Sequence, residues 1–447
     1  FRSAVSEKYN DLSDVKKVNL YDKVSLHYTE NPHNEYFTLT LKYGIGKHKS
    51  PKLAYAVDLM NSAGIMPDKD AQSVRREFSE LNATCNYAVT DDYLYISLIG
   101  LESNLEEICR LMTMQVLMPK LDETQLNQAI GREISTRIML ENQSIDILSD
   151  ALLKYALYDN ESDYIDRPTL EQIYYMNIGD LTGEFIRGTD YEIDIHYVGK
   201  RDLEDVKEAL KGNLPLKEGV KPSTSPEIPE RVKYKDNTIL FLQNKDAQQA
   251  RVYFYVDGFE YNIEDDVNID AFNQYFGGGF NGLVMNEIRE NNSLAYTSYG
   301  LVSTPPIQNK NTFFMGYVGT QPDKVADAVD LYMKLITDMP KHPERIDNIK
   351  TYLKQTALSN KPAFRSKSQV FSSWQKLGYN EDPAKVNMDK INNLTFDDIT
   401  SFYESKIKGK PVVIVIMGDQ KLINLDKIRG NHGKVTRVNS NRLFSKN

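Results

Sequence analysis

Apolar and polar residues alternate in Glu35–Gly44 (EYFTLTLKYG), Tyr93–Gly100 (YLYISLIG), Arg251–Gly258 (RVYFYVDG) and Thr312–Gly319 (TFFMGYVG). Successive strand side chains point to opposite faces, so this period predicts half-buried strands. Elsewhere the period lengthens. Leu105, Ile108, Cys109, Met112 and Val116 recur at spacings of three and four, as do Val325, Ala328, Val329, Tyr332 and Ile336. Each set predicts an amphipathic helix with one buried stripe. The stretches Glu123–Leu157 and Asp347–Leu377 also read as helical. Strands grouped with helices packed on one face predict an α+β fold with antiparallel sheets rather than a doubly wound parallel one.

These patterns occur twice. The two helical stripes match at an offset of 220, and the strands before them end on Gly100 and Gly319, an offset of 219. Further on, IYYMNIGDL (Ile173–Leu181) parallels INNLTFDDI (Ile391–Ile399), and strands ending on Gly199 and Gly418 follow. A near-constant offset across four elements predicts two copies of one module. Between them Gly212–Glu230 carries Pro215, Pro222, Pro226 and Pro229, which predicts an extended linker. The expected division is residues 1–221 and residues 222–447.

A chain of 447 residues is long enough for two such modules, and a net charge of −9 argues against a basic nucleic-acid-binding surface. The mildly basic tail (Lys427, Arg429, Lys434, Arg437, Arg442, Lys446) is expected to be solvated or frayed. No apolar run reaches the length of a membrane span. Cys85 and Cys109 are too few for a disulfide framework. The chain opens on Phe1 and reads as a segment of a longer or processed protein, which leaves its compartment open.

Motifs exclude more than they assign. GGGFNG (Gly277–Gly282) fits a dinucleotide fingerprint in form, but a helix precedes it and no carboxylate stands near Val302, so that reading fails. The glycines are expected to form a helix terminus and a flexible turn. His27, His33, His48, His196, His342 and His432 form no i, i+4 pair and are expected at the surface. No nucleophile elbow is present.

The segment FNQYFGGGFNGLVMNEIRENNSLAYTSYG (Phe272–Gly300) resembles the glycine-rich segment of the M16 zinc metallopeptidases, the pitrilysin, insulin-degrading enzyme and mitochondrial processing peptidase family. Ile288-Arg289 and Leu294-Ala295-Tyr296 fill that pattern in order, with a turn at Asn291, Asn292 and Ser293. LAYAVDLMNSAG (Leu53–Gly64) and Leu81–Leu98 resemble the family's metal helix and the strands after it. The departure is at the metal. Active members carry H-x-x-E-H, two imidazoles on one helical face and a Glu to activate water. Here Tyr55, Asp58 and Leu59 stand at those positions, and Glu133 is the plausible remnant of a later ligand. Ile391–Thr395 and its neighbours in the second module hold no histidine pair either.

The resemblance therefore implies the catalytically silent half of a two-half peptidase. It would bind no metal, zinc being expected in a partner half on the same polypeptide or another chain. Peptides would be the substrates. The resemblance assigns substrate contacts to Arg289 and Tyr296, whose guanidinium and phenol can donate to a peptide carbonyl, and to a mobile loop at Gly277, Gly278 and Gly279. The rival expectation is a binding or scaffold subunit with no role in proteolysis.

Overall fold

The structure, a computed structural model, describes residues 9–141, 143–290 and 292–445. Asn291 of the expected turn, the opening eight residues and Lys446 lie outside them. Among the described residues no helix is long and apolar enough to cross a membrane.

Twelve strands form two six-stranded sheets. The first comprises β1 (Val15–Tyr21), β2 (Val24–Glu30), β3 (Tyr36–Tyr43), β4 (Thr84–Val89), β5 (Leu94–Leu101) and β6 (Ile193–Gly199). The second comprises β7 (Thr238–Gln243), β8 (Ala250–Glu260), β9 (Thr297–Ser303), β10 (Asn311–Thr320), β11 (Val412–Gly418) and β12 (Val435–Arg437). Their orders are β1-β2-β6-β3-β5-β4 and β12-β7-β11-β8-β10-β9. Five positions correspond one to one. Gly199 ends β6 opposite Glu30 of β2, as Gly418 ends β11 opposite Gln243 of β7. Gly100 and Gly319 are the penultimate residues of the equivalent strands β5 and β10.

The sheets are mixed rather than wholly antiparallel. β2 runs parallel to β6, and β7 runs parallel to β11 and to β12. β6 and β11 each return to the sheet after a long helical crossover, and such connections can close parallel pairs. The sixth place is filled from opposite ends of the chain. In the first sheet β1 enters as the antiparallel hairpin partner of β2; in the second, the carboxyl-terminal β12 lies parallel to β7.

The helices that matter below are α1 (Leu53–Met60), α2 (Leu105–Leu117), α3 (Glu123–Ser135), α4 (Ile145–Tyr158), α5 (Ile178–Gly188), α6 (Asp266–Gly277), α7 (Val325–Thr337), α8 (Ile346–Ser359), α9 (Lys367–Leu377), α10 (Pro383–Asn393) and α11 (Phe396–Lys406). The ten stripe residues of α2 and α7 are all buried. Asn177 caps α5 and Thr395 caps α11 at matching places, each satisfying a free backbone N–H.

The other face of each sheet is covered by a helix from the opposite half of the chain. Leu148, Ala151, Leu152 and Ala156 of α4 pack with Leu240, Tyr255, Val413 and Val415 of the second sheet. Conversely α9 lies on the first sheet, where Ser368 meets His196 Nδ1 at 2.9 Å and Lys376 Nζ donates to the Tyr93 hydroxyl at 2.9 Å. This exchange overturns the expectation of surface histidines for two of the six. The parallel register sets His27 opposite His196, and their rings stack 4.5 Å apart at 4% and 3% exposure. Asp194 meets His27 at 3.2 Å and accepts from Ser25. The tail is not frayed: Leu443 is fully buried and Arg442 donates to Asp159 and Asn160.

Candidate functional site

The degenerate metal motif lies on α1, which the sheet and α5 hold in place. Leu59 is 2% exposed and belongs to the core, so the position of a ligating imidazole is occupied by packing. Asp58 faces outward, with Arg132 of α3 at 3.8 Å. Tyr55 is half-buried, and burial raises its phenol above the usual range, with the Glu133 charge adding to the effect. Glu133 is not the freely solvated carboxylate its sequence context suggests. It accepts from Arg137 Nε at 2.7 Å, in a cavity of about 1720 Å³ that Tyr55, Asp58 and Arg137 also line. A half-buried phenol, an exposed Asp, a leucine and a carboxylate already held by a guanidinium do not fit zinc, which takes four close N, O or S donors. Among the described residues no three His, Cys, Asp or Glu side chains converge as metal ligands.

The counterpart of α1 in the second module is α6, not the Ile391 region. Asn61, at the end of α1, exchanges two hydrogen bonds with the Tyr87 backbone of edge strand β4, at 2.8 and 2.9 Å. Asn273 of α6 does the same with Val302 of edge strand β9, at 2.9 and 2.7 Å. That pairing sets Val267, Asp270 and Ala271 in the places of Tyr55, Asp58 and Leu59.

α6 runs into the three glycines. A Cβ on Gly277 would stand 1.9 Å from the Gly300 carbonyl oxygen of β9, and one on Gly278 would stand 2.3 Å from the Gln274 carbonyl oxygen. Gly277 is a glycine because helix and strand approach too closely for a side chain, and Gly278 because the last turn of α6 itself leaves no room for one. Gly279 differs: its φ is +58° with open space around it. The expected mobile loop is thus packed at two of its three positions.

Arg289 sits in a π-helical turn, Met285–Glu290, anchored by the fully buried Ile288. After it the Ser293 backbone adopts the left-handed conformation, its N–H donating to Arg289 O at 2.9 Å, and Lys324 Nζ donates to Ser293 O at 3.0 Å. Tyr296 then enters β9, its N–H donating to Gly319 O at 2.9 Å. The Arg289 side chain is 44% exposed, and Tyr296 is 55% exposed. Gln321 Nε2 donates to the Tyr296 hydroxyl at 2.7 Å, leaving the phenolic proton available for another acceptor. No sequence pattern points to Gln321. Two exposed donors beside a glycine-lined edge can meet a peptide carbonyl.

Fold and site together define a pair of like α+β modules in which no metal-ligand cluster is present among the described residues. Residues 193–353 match the family model described as the peptidase M16 inactive domain. The M16 resemblance read from the sequence is supported over that segment, which matches the family model of the M16 inactive domain. Among solved structures it is similar to a peptidase M16 inactive domain from Pseudomonas fluorescens, at TM-score 0.67 and 17% identity over 91% of this chain and 98% of that one. It is also similar to the periplasmic protease PqqL from Escherichia coli, at TM-score 0.71 and 13% identity, covering 92% of this chain and 47% of that one. A third is the ferredoxin protease FusC, a mutant in complex with Arabidopsis ferredoxin, at TM-score 0.73 and 10% identity, covering 92% and 46%. This chain thus spans about half the length of those two proteases. No curated protein matches.

Proposed function

We propose that this chain is the non-catalytic half of an M16-type zinc metalloendopeptidase, with modules at residues 1–221 and 222–447, and that it walls a chamber and holds peptide for a zinc-bearing half. The observation that carries the reading is the matched inactive-domain segment, 193–353, which contains the glycines, Arg289 and Tyr296, while Tyr55 and Leu59 stand on α1 where the family's motif has its two histidines. The half-length coverage of PqqL and FusC supports it, as does the complex of FusC with a protein. Arg289 and Tyr296 donate to a substrate carbonyl, and the glycine edge lets an extended backbone approach.

The test is kinetic and needs both halves together. Tyr296→Phe removes one donor without changing shape. If that donor meets a developing oxyanion, kcat/KM falls roughly a hundredfold, about 3 kcal/mol. If it only positions peptide, the loss is about 1 kcal/mol. Zinc content and melting temperature stay unchanged in either case. Unaltered kinetics for both Tyr296→Phe and Arg289→Ala would overturn the reading and leave the scaffold alternative.

A further inference from the structure

The second module's counterpart of the metal-motif site is a cavity of about 450 Å³ beneath the Gly277–Gly278 turn. Its wall carries Asp266, Asp270 and Asp382, and among the described residues no Lys, Arg or His lines it. Asp382 is already satisfied: it accepts from the Asn10 backbone and side chain at 2.6 and 2.7 Å and from Ala384 N at 2.9 Å. Asp266 accepts from the Tyr379 hydroxyl. No donor among the described residues meets Asp270, whose carboxyl is pushed up to about 7 by desolvation first and the Asp266 charge second. Lys390, whose charge acts on Asp266, is itself paired with Glu264 and does not line the cavity.

A second, neutral acceptor is unmet at the same wall. Asn387 is 9% exposed, and its Oδ1 has no partner. Its orientation is fixed by a chain of bonds. Tyr379 spends its one proton on Asp266, so its oxygen must accept from Asn387 Nδ2, at 2.8 Å, and Oδ1 is left over. A buried acceptor without a donor costs free energy, and here it shares a cavity with Asp270, a solvent-exposed carboxylate that no donor among the described residues meets. Trp374, Tyr299 and Tyr352 supply aromatic surface to the same cavity. Unmet acceptors, uncompensated negative charge and aromatic faces together suit an organic cation that carries several hydrogen-bond donors.

We propose that this cavity binds a primary ammonium or guanidinium group of a peptide, with Asp270 as its counter-ion and Asn387 Oδ1 accepting a further hydrogen bond. Binding is a property of this chain. Only the supply of peptide rests on the chamber-wall reading, so the proposal is tested without the zinc half.

Trp374 is the chain's single tryptophan and lines the cavity, so its fluorescence reports occupancy. The 447-residue chain is titrated at pH 8 with a blocked tripeptide carrying a central lysine, the blocked norleucine equivalent, the norleucine peptide with a free amino terminus, and calcium or magnesium chloride alone. A saturable change with the lysine peptide or with the free-terminus peptide, and not with the blocked neutral one, supports the proposal and tells which source of the cation is used. Asp270→Asn, with its circular dichroism matching the parent, is expected to weaken that binding about tenfold or more. An equal response to the blocked neutral peptide, a saturable response to the metal ions alone, no response to either cationic peptide, or full affinity in Asp270→Asn would each overturn it. If the variant fails to fold, the wild-type arms decide.

Discussion

Gly277→Ala places a methyl group where α6 meets β9. The added carbon would lie 1.9 Å from Gly300 O, whereas such contacts essentially never fall below 3.0 Å, so helix and strand must separate by about 1 Å. Neither moves freely. Phe272 and Phe276 of α6 are buried to within 1% exposure, and Gly300 itself faces Phe276 and Tyr332 with no room for a Cβ. Overpacking of this kind costs typically 1–3 kcal/mol, and the fixed backbone on both sides puts the expectation at about 3. At roughly 2.1 cal/mol/K of unfolding entropy per residue, that lowers Tm by about 3 °C if the chain melts as one unit, and by about 6 °C if the second module melts alone. Two other glycines serve as controls in the same calorimetric series. Gly279→Ala meets no atom within 4 Å but must hold φ at +58°, a cost of roughly 1–2 kcal/mol. Gly131→Ala, in an open position of α3, should stabilise by roughly 0.5–1 kcal/mol. The order 277 worst, 279 intermediate, 131 improved is the expected result. A Gly277→Ala protein as stable as the parent would refute the close-approach account and restore the mobile-loop one.

The chain purified without added metal should contain far less than one zinc per molecule by elemental analysis. Tyr55→His, Asp58→Glu and Leu59→His together should not restore zinc binding, because residue 59 points into the core; a stoichiometric ion in either protein would refute the reading. Asp270 gives a pH prediction. Its carboxyl moves from 3.8 to about 7 on folding, so it contributes stability that is fully present below about pH 4 and lost as pH rises through 7. Asp270→Asn should therefore gain Tm over the parent at pH 8 and gain little or nothing near pH 4; a pH-independent difference would contradict this.

Local chemistry made much of this protein legible in one dimension. A helix stripe needs only spacings of three and four, so Leu105–Val116 and Val325–Ile336 announced α2 and α7, and their shared offset announced the duplication. The loss of metal donors was equally legible, since Leu59 has no ligand atom whatever its surroundings. Side-chain identity alone settles such questions. What pairs across long separations was not legible. His27 and His196 are ordinary polar residues until a parallel register stacks them and a helix from the other half covers them. Glu133 reads as solvent-facing until the π-helical turn after α3 sets Arg137 against it and α1 brings Tyr55 near it. Asp270 and Asn387 lie more than a hundred residues apart, and each is unremarkable alone. Sequence periodicity reports which face of an element is apolar, but not which other element will cover it. That choice is made by the packing of whole sheets and helices, and it decided where the unmet acceptors of the second module come together.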